Sequence, residues 1–442
     1  MHNSNIFPRH TSYELPISSY GDGCYIIDNN GKKYLDASCG AAVSCLGHSD
    51  KSVQEAIIKQ TEKLAFAHTS FFTSEPAEEL ANLLSKNSPI GLDKVYFVSS
   101  GSEAIEASLK LAKQYFNEIG KPKKHRVISR KQSYHGNTLG ALAVGGNIWR
   151  RSFFEDLLLE TSLISPCYKY RHQDSSESEI QYGLRIANEL EDEIIRVGPE
   201  NVMAFIAEPV VGATAGALTA VEGYFQRIRE ICTKYNVLLI LDEVMCGMGR
   251  TGSLFACDDE KIIPDIITIA KGLGAGYQPI GAMICQNFIY EAIAKGSGFF
   301  QHGHTYLGHP VACAASLAVL KKLINNNFPD QVKEKGKYLQ KNLEITLGQN
   351  QYIGDIRGRG LFRGIEIVKN RETKEPFSKD LNIAGKIKKK ALDLGLICYP
   401  MQGTVDGIIG DHILIAPPFI IDENEIDEIS QKLKSTIELV CN

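Results

Sequence analysis

Between Val237 and Lys271 two groups of opposite charge stand at the ends of two buried runs. Val237-Leu238-Leu239-Ile240-Leu241 is a solid apolar block that ends on Asp242 and Glu243. Asp265-Ile266-Ile267-Thr268-Ile269 is a second, β-branched run, followed by Ala270 and then Lys271. Apolar runs without alternation read as strands covered on both faces, which is how parallel sheets are built. In open α/β sheets, ligands bind outside the carboxyl ends of the strands. Two readings fit these residues taken alone. Asp242 caps a turn and Lys271 faces water, or both line a binding site.

Gly247-Met248-Gly249-Arg250-Thr251-Gly252 matches the dinucleotide fingerprint by letter. That fingerprint needs a helix opening at once and an acidic residue after a second strand. Thr251-Gly252-Ser253-Leu254-Phe255 opens no helix, so the match carries little weight. A pyridoxal phosphate site is the sharper reading. An amine forms the covalent link, and a carboxylate faces the ring nitrogen. Such a site also demands a phosphate cup, an aromatic against the ring and a contact from a second subunit.

The rest of the chain offers these parts. Lys94–Val98 reads as a strand, and Ser99-Ser100-Gly101-Ser102-Glu103-Ala104 leads into a helix with Ile105, Leu109, Ala112 and Phe116 on one face. Free amides at a helix start hold anions, although Ser100 or Ser102 as a plain N-cap explains the same residues. Arg126–Ser129 reads as a strand leading to Tyr134-His135-Gly136, where an aromatic can lie against a planar ring. Val202–Ile206 reads as another, ending in Ala207-Glu208-Pro209. His68–Phe72 is an aromatic loop that suits a pocket or the core equally. Strands alternate with helices, which predicts a mostly parallel sheet covered on both faces.

Composition excludes several classes. A net charge of -4 over 442 residues supplies no basic excess for nucleic acid. Eleven cysteines without a C-x-x-C pair fit reduced thiols. His302, His304 and His309 cluster without a zinc spacing. No apolar run reaches membrane-spanning length, and Met1–Asn5 carries no signal-peptide pattern, so a cytoplasmic location is expected.

Together these residues resemble the class III, or ω-, aminotransferases, which are pyridoxal phosphate enzymes of fold type I. Ser100-Gly101-Ser102-Glu103-Ala104, Tyr134-His135-Gly136, Glu208-Pro209, Asp242-Glu243-Val244 with Gly247, Asp265 to Lys271, and Thr305 follow the family order along nearly the whole chain. The resemblance implies a mostly parallel, seven-stranded-type α/β sheet between helices. It implies a large cofactor domain at 61–326 and a smaller α+β domain built from 1–60 and 327–442. Lys271 would bind the cofactor and shuttle a proton. Asp242 would keep the ring nitrogen protonated. Gly101 and Ser102 would cradle the phosphate, Tyr134 and Val244 would enclose the ring, and His135 and Glu208 would complete the wall. Thr305 would reach the neighbouring subunit's phosphate, which implies a homodimer. The expected partners are a small amine or ω-amino-acid donor and an oxo-acid acceptor, pyruvate or 2-oxoglutarate. A lyase, decarboxylase or racemase on the same scaffold is the alternative.

Two family positions depart from the pattern. Leu414 stands where some branches carry a carboxylate-binding arginine, and Gly407 stands where others carry a mobile one. Arg359 or Arg150 could take over that role. A Glu208 without its arginine could instead greet a cationic amine, or it is held by donors nearby.

Overall fold

A computed structural model describes residues 5–11 and 13–441. Most of the Met1–Asn5 segment, read above for a leader, lies outside the described residues. Leu238–Asp242 is the central strand of a seven-stranded sheet. The sheet order is Leu92–Val98, Gly281–Gln286, Ile266–Ile269, Leu238–Asp242, Val202–Ala207, Arg126–Arg130 and Thr161–Ile164. Every strand is parallel except Gly281–Gln286, which runs against both neighbours. The sequence reading singled out neither that strand nor Thr161–Ile164.

The solid apolar run divides by the two-residue period of a strand. Leu239 and Leu241 enter the core on one face, while Leu238 and Ile240 enter the core on the other. Ile267 and Ile269 join the first core and Ile266 the second. A helix at Gly101–Glu118 covers the second face with the expected Ile105, Leu109, Ala112 and Phe116. Helices Glu179–Val197 and Tyr224–Lys234 cover the first with Ile186, Leu190, Phe225 and Ile228. Each buried Leu or Ile is worth roughly 1.5–3 kcal/mol, so hydrophobic burial on both faces fixes the sheet.

Register sets the edge. Ile240 pairs with both Ile206 and Ile266. Asp242, Glu208 and Lys271 therefore emerge beside one another, at the carboxyl ends of three adjacent parallel strands.

Beyond Asn327 lies a four-stranded antiparallel sheet, Ile353–Arg359, Phe362–Ile367, Asp411–Ile415 and Tyr399–Gln402 in spatial order. Helices Phe328–Leu347, Ile383–Asp393 and Glu423–Cys441 accompany it. The N-terminal strands Ser18–Asp22, Tyr25–Asp28 and Lys33–Asp36 form a sheet closed by Leu396–Ile397, which pairs in parallel with Leu35 and Asp36. The glycine-rich turn Gly247–Gly252 has no phosphate-loop geometry. It buries Arg250, which donates to the carbonyls of Leu361 (3.0 Å) and Pro417 (2.6 Å) and sits over the Phe419 ring.

A buried ionic cluster ties the C-terminal sheet to the rest. Glu366 accepts from Arg357 at 2.6 Å, from Arg171 at 2.7 Å and from the Tyr168 hydroxyl. Burial works against its charge, but Arg357 and Arg171 prevail and hold its carboxyl below the ordinary range. All eleven cysteines are free, and among the described residues no helix is long and apolar enough to cross a membrane.

Glu366→Gln removes this charge and leaves buried arginines uncompensated, at a cost of about 3–5 kcal/mol near neutral pH. A carboxyl lowered in the folded state stabilises above its unfolded value, and that stability is lost as pH falls through the folded value. The deficit of Glu366→Gln, measured by chemical unfolding, should therefore shrink below about pH 4. A deficit that stays constant through that range would contradict the assignment.

Candidate active site

A cavity of about 490 Å³ opens at the carboxyl edge of the large sheet. Gly101, Ser102, Tyr134, His135, Glu208, Asp242, Val244 and Lys271 all line it. Residues some 170 positions apart are thus brought together by strand order alone. Thr305 does not join them. It is exposed on a loop and lines a second cavity with Phe72, His302 and His304.

Asp242 is nearly buried and fully engaged by its own chain. Its Oδ1 accepts from the Val244 amide at 3.0 Å, and its Oδ2 pairs with His135 Nδ1 at 2.8 Å. This bond fixes the plane of the carboxylate. The other imidazole nitrogen, Nε2, is buried without a hydrogen-bond partner, 3.9 Å from Glu208 Oε2.

Glu208 is held, not free. Its Oε1 accepts from the Tyr134 amide at 3.0 Å, its Oε2 lies 3.4 Å from Arg130, and Arg130 also donates to its carbonyl at 2.5 Å. The unpaired carboxylate that would greet a cationic substrate is absent. Sequence reasoning missed Arg130 because it lies 78 residues away, and only the adjacency of two strands joins them.

Lys271 follows Ile266–Ile269 in a single 3-10 turn, with φ at +46°. A lysine in the left-handed region is strained, and such strain is stored at functional positions. Burial pushes its amine below the ordinary lysine range. Asp242 opposes that shift, and the positive charge of Arg150 adds to it. A lowered amine is a better nucleophile at neutral pH.

The helix start at Gly101 is capped by Ser100 and still leaves backbone donors free. Ser100 Oγ accepts from the Glu103 amide at 3.2 Å, and the Ser100 carbonyl accepts from Ala104. The amides of Gly101 and Ser102 stay unengaged among the described residues, at the cavity these residues line. Gly136 stands against this cup at φ +140°, where a Cβ would lie 2.6 Å from Ser102 Oγ. Only glycine fits there.

Of the two departures from the family pattern, Leu414 is fully buried beside Phe362 and Ala416. Gly407 has φ +92°, and a Cβ there would lie 3.1 Å from the Ile148 amide nitrogen. Neither position can present a cation. Arg359 is committed to Glu260 at 2.5 Å.

An amine with a lowered pKa, a carboxylate in a fixed plane, free amides at a helix start and a flanking tyrosine fit pyridoxal phosphate. The fold and this donor set define a fold type I pyridoxal phosphate enzyme. The class III aminotransferase family model matches residues 8–437, and the chain belongs to that family. It is 45% identical over 437 residues to an uncharacterized aminotransferase of Schizosaccharomyces pombe, covering 98% of this chain and 94% of the relative. It is 40% identical to gamma aminobutyrate transaminase 2 of Solanum lycopersicum, covering 92% and 88%. The crystal structure of the omega transaminase from Pseudomonas jessenii in complex with PMP superposes with a TM-score of 0.90 at 33% identity, covering 96% and 94%. The protein is a pyridoxal phosphate-dependent transaminase.

Holding Lys271 in this cavity costs stability. A lysine lowered in the folded state binds fewer protons there than when unfolded, so stability rises with pH from its folded value up to about 10.4. The cofactor-free Lys271→Met variant should be more stable than the cofactor-free parent at pH 7. That advantage should shrink as pH approaches 10. Thermal unfolding of both across this range checks it, and a parent as stable as Lys271→Met at pH 7 would refute it.

Proposed function

We propose that the Lys271 cavity moves an amino group from an amine or ω-amino acid to an oxo-acid such as pyruvate or 2-oxoglutarate. The observation that carries this reading is that Lys271 and Asp242, the latter oriented by His135, line one cavity at the carboxyl edge of the sheet. Bound pyridoxal phosphate supplies a carbonyl that condenses with amines and a ring that accepts electron density.

Each residue then has a task. Lys271 binds the cofactor through Nζ. Its Nζ, when not bonded to the cofactor, would be the group placed to carry a proton at the substrate carbon. Asp242, its plane set by His135, would hold a proton on the ring nitrogen. The Gly101 and Ser102 amides would hold the phosphate, with the positive end of their helix toward it. Tyr134 and Val244, which line the same cavity, would enclose the ring. Glu208 anchors the Tyr134 backbone, supported by its hydrogen bond to that amide.

The division into a cofactor domain at 61–326 and a smaller domain from 1–60 and 327–442 belongs to the same proposal. The pairing of Leu35 with Leu396 supports it. A homodimer in the cytoplasm completes the reading. Thr305 stands on a surface with exposed Phe71, Phe72, Phe299 and Tyr306, and so many exposed aromatics suit a covered interface. Thr305 then belongs to the neighbouring subunit's phosphate site.

Transfer of the amino group that depends on an added oxo-acid tests the activity, since a lyase or decarboxylase needs no acceptor. Lys271→Ala should lower the rate by at least about 10²- to 10⁴-fold, measured as product amine. Mixing inactive Lys271→Ala chains with impaired Thr305→Asp chains tests the shared site. Random exchange of subunits yields one intact site in half of the dimers, so about a quarter of the parental activity should return. No recovery after subunit exchange would refute the shared site.

A further inference from the structure

Gln132 stands behind two walls of the Lys271 cavity without lining it. Tyr134 and His135 form one wall, and Gly212 and Ala213 form another. Gln132 is buried and has φ at +61°. A glutamine in the left-handed region is strained, and glycine would take up the same backbone without a Cβ penalty. Such strain persists only where the surroundings over-determine it. Here every polar group of the residue has a partner. Its backbone amide donates to the Gly146 carbonyl at 3.2 Å, and its carbonyl accepts from Thr214 Oγ1 at 2.6 Å. The side-chain Oε1 accepts from Asn147 Nδ2 at 3.2 Å. The Nε2 donates to the Thr404 carbonyl at 2.9 Å and also to the Gly403 carbonyl. Two carbonyls can face only the NH2 end, which fixes the orientation of the side-chain amide.

These bonds reach the cavity from behind. Thr214 directly follows Ala213, and the Gly216 amide closes the turn onto the Gly212 carbonyl at 2.9 Å. Arg357 of the C-terminal sheet donates to the carbonyls of Ala215 (2.7 Å) and Gly216 (2.9 Å). Thr404 pairs through Oγ1 with His412 Nδ1 at 2.6 Å, and a Cβ at Gly216 would lie 2.7 Å from Cδ2 of that ring. Thr214, Thr404 and His412 are all buried. The wall at Gly212 and Ala213 is therefore held by the C-terminal sheet and by Gln132. Tyr134 has its own anchor in Glu208. Gln132, two residues before Tyr134, is where the two walls share one support.

We propose that Gln132 is a positioning residue: through Thr214, Gly403 and Thr404 it holds the Ala213 wall at a fixed distance from Tyr134, and so sets KM for the amine and the oxo-acid without entering the chemistry at Lys271. The proposal rests on amino transfer at the Lys271 cavity. Walls already in place spare a substrate the cost of ordering them when it binds. Loss of binding that is uniform between substrate and transition state raises KM and leaves kcat unchanged. A merely destabilised enzyme does the opposite, since fewer intact molecules lower kcat at an unchanged KM.

The test compares the parent with Gln132→Gly, Thr214→Val and Thr214→Ser, each with cofactor bound. Gln132→Gly relieves the backbone strain and removes the side-chain bonds. Thr214→Val keeps the shape and loses the donor, whereas Thr214→Ser keeps the donor. With 4-aminobutyrate as donor and pyruvate as acceptor, Gln132→Gly and Thr214→Val should each raise KM about tenfold, with kcat within about threefold of the parent. Thr214→Ser should hold KM within about threefold of the parent. Amide hydrogen exchange supplies a readout apart from turnover. Gln132→Gly should exchange faster at 210–217 and 402–412 and be unchanged at Leu238–Asp242. A fall in kcat at unchanged KM, or faster exchange spread across the large sheet, would make Gln132 a purely structural residue and overturn the proposal. A parent that transfers no amino group to any oxo-acid, while Gln132→Gly still loosens only 210–217 and 402–412, would keep the support and refute the transamination reading instead.

Discussion

The hydrogen bond between His135 Nδ1 and Asp242 Oδ2 is the contact on which the geometry of the site depends. It joins the loop after one parallel strand to the end of another, across the intervening strand that ends at Glu208. A carboxylate held at both oxygens cannot rotate. Its orientation at the cavity is therefore fixed. Glu208 extends the same arrangement by anchoring the Tyr134 backbone, so His135 and its flanking tyrosine are fixed from two sides. Preorganisation of this kind reduces the cost of ordering polar groups when the substrate arrives.

The two faces of the sheet make that rigidity possible. Apolar residues on both faces of Leu238–Asp242 fill two separate cores, so the strand has no freedom to shift. Charged groups can stand only where the strand leaves the cores. The site is the place where the apolar runs stop, and its chemistry follows from which residue comes next on each strand. The strain at Lys271 and the desolvation of its amine are borne by the burial of the sheet beneath it.

Much of this was legible in the sequence because strand ends are legible. Solid apolar runs followed by Asp242, Lys271 and Glu208 mark the edge, and the small polar turn before Ile105 marks a helix start that opens on the same cavity. Pairings between strands were not legible. Arg130 serves Glu208 only because their strands are neighbours, and nothing in their spacing says so. The strand Gly281–Gln286 was passed over although Gly281-Ala282-Met283-Ile284-Cys285 is apolar, because alternating strands and helices suggest parallel neighbours and this one is antiparallel. Arg150 was one of two candidates by letter. What separates it from Arg359 is visible only in the structure, where Glu260 holds Arg359. Thr305 is a residue whose partner lies outside a single chain in the proposed dimer.

The parallel pairing of Leu35 with Leu396 has a consequence for how the chain is made. The strand Lys33–Asp36 leaves the ribosome early, but the strand that closes its edge is separated from it by most of the chain. At ordinary synthesis rates that interval is on the order of tens of seconds. During it the large sheet can collapse on itself, while the N-terminal hairpin waits with an open edge, and open edges recruit other strands. Pairing these two strands is a long-range closure, and such contacts form only after a large loop entropy has been spent.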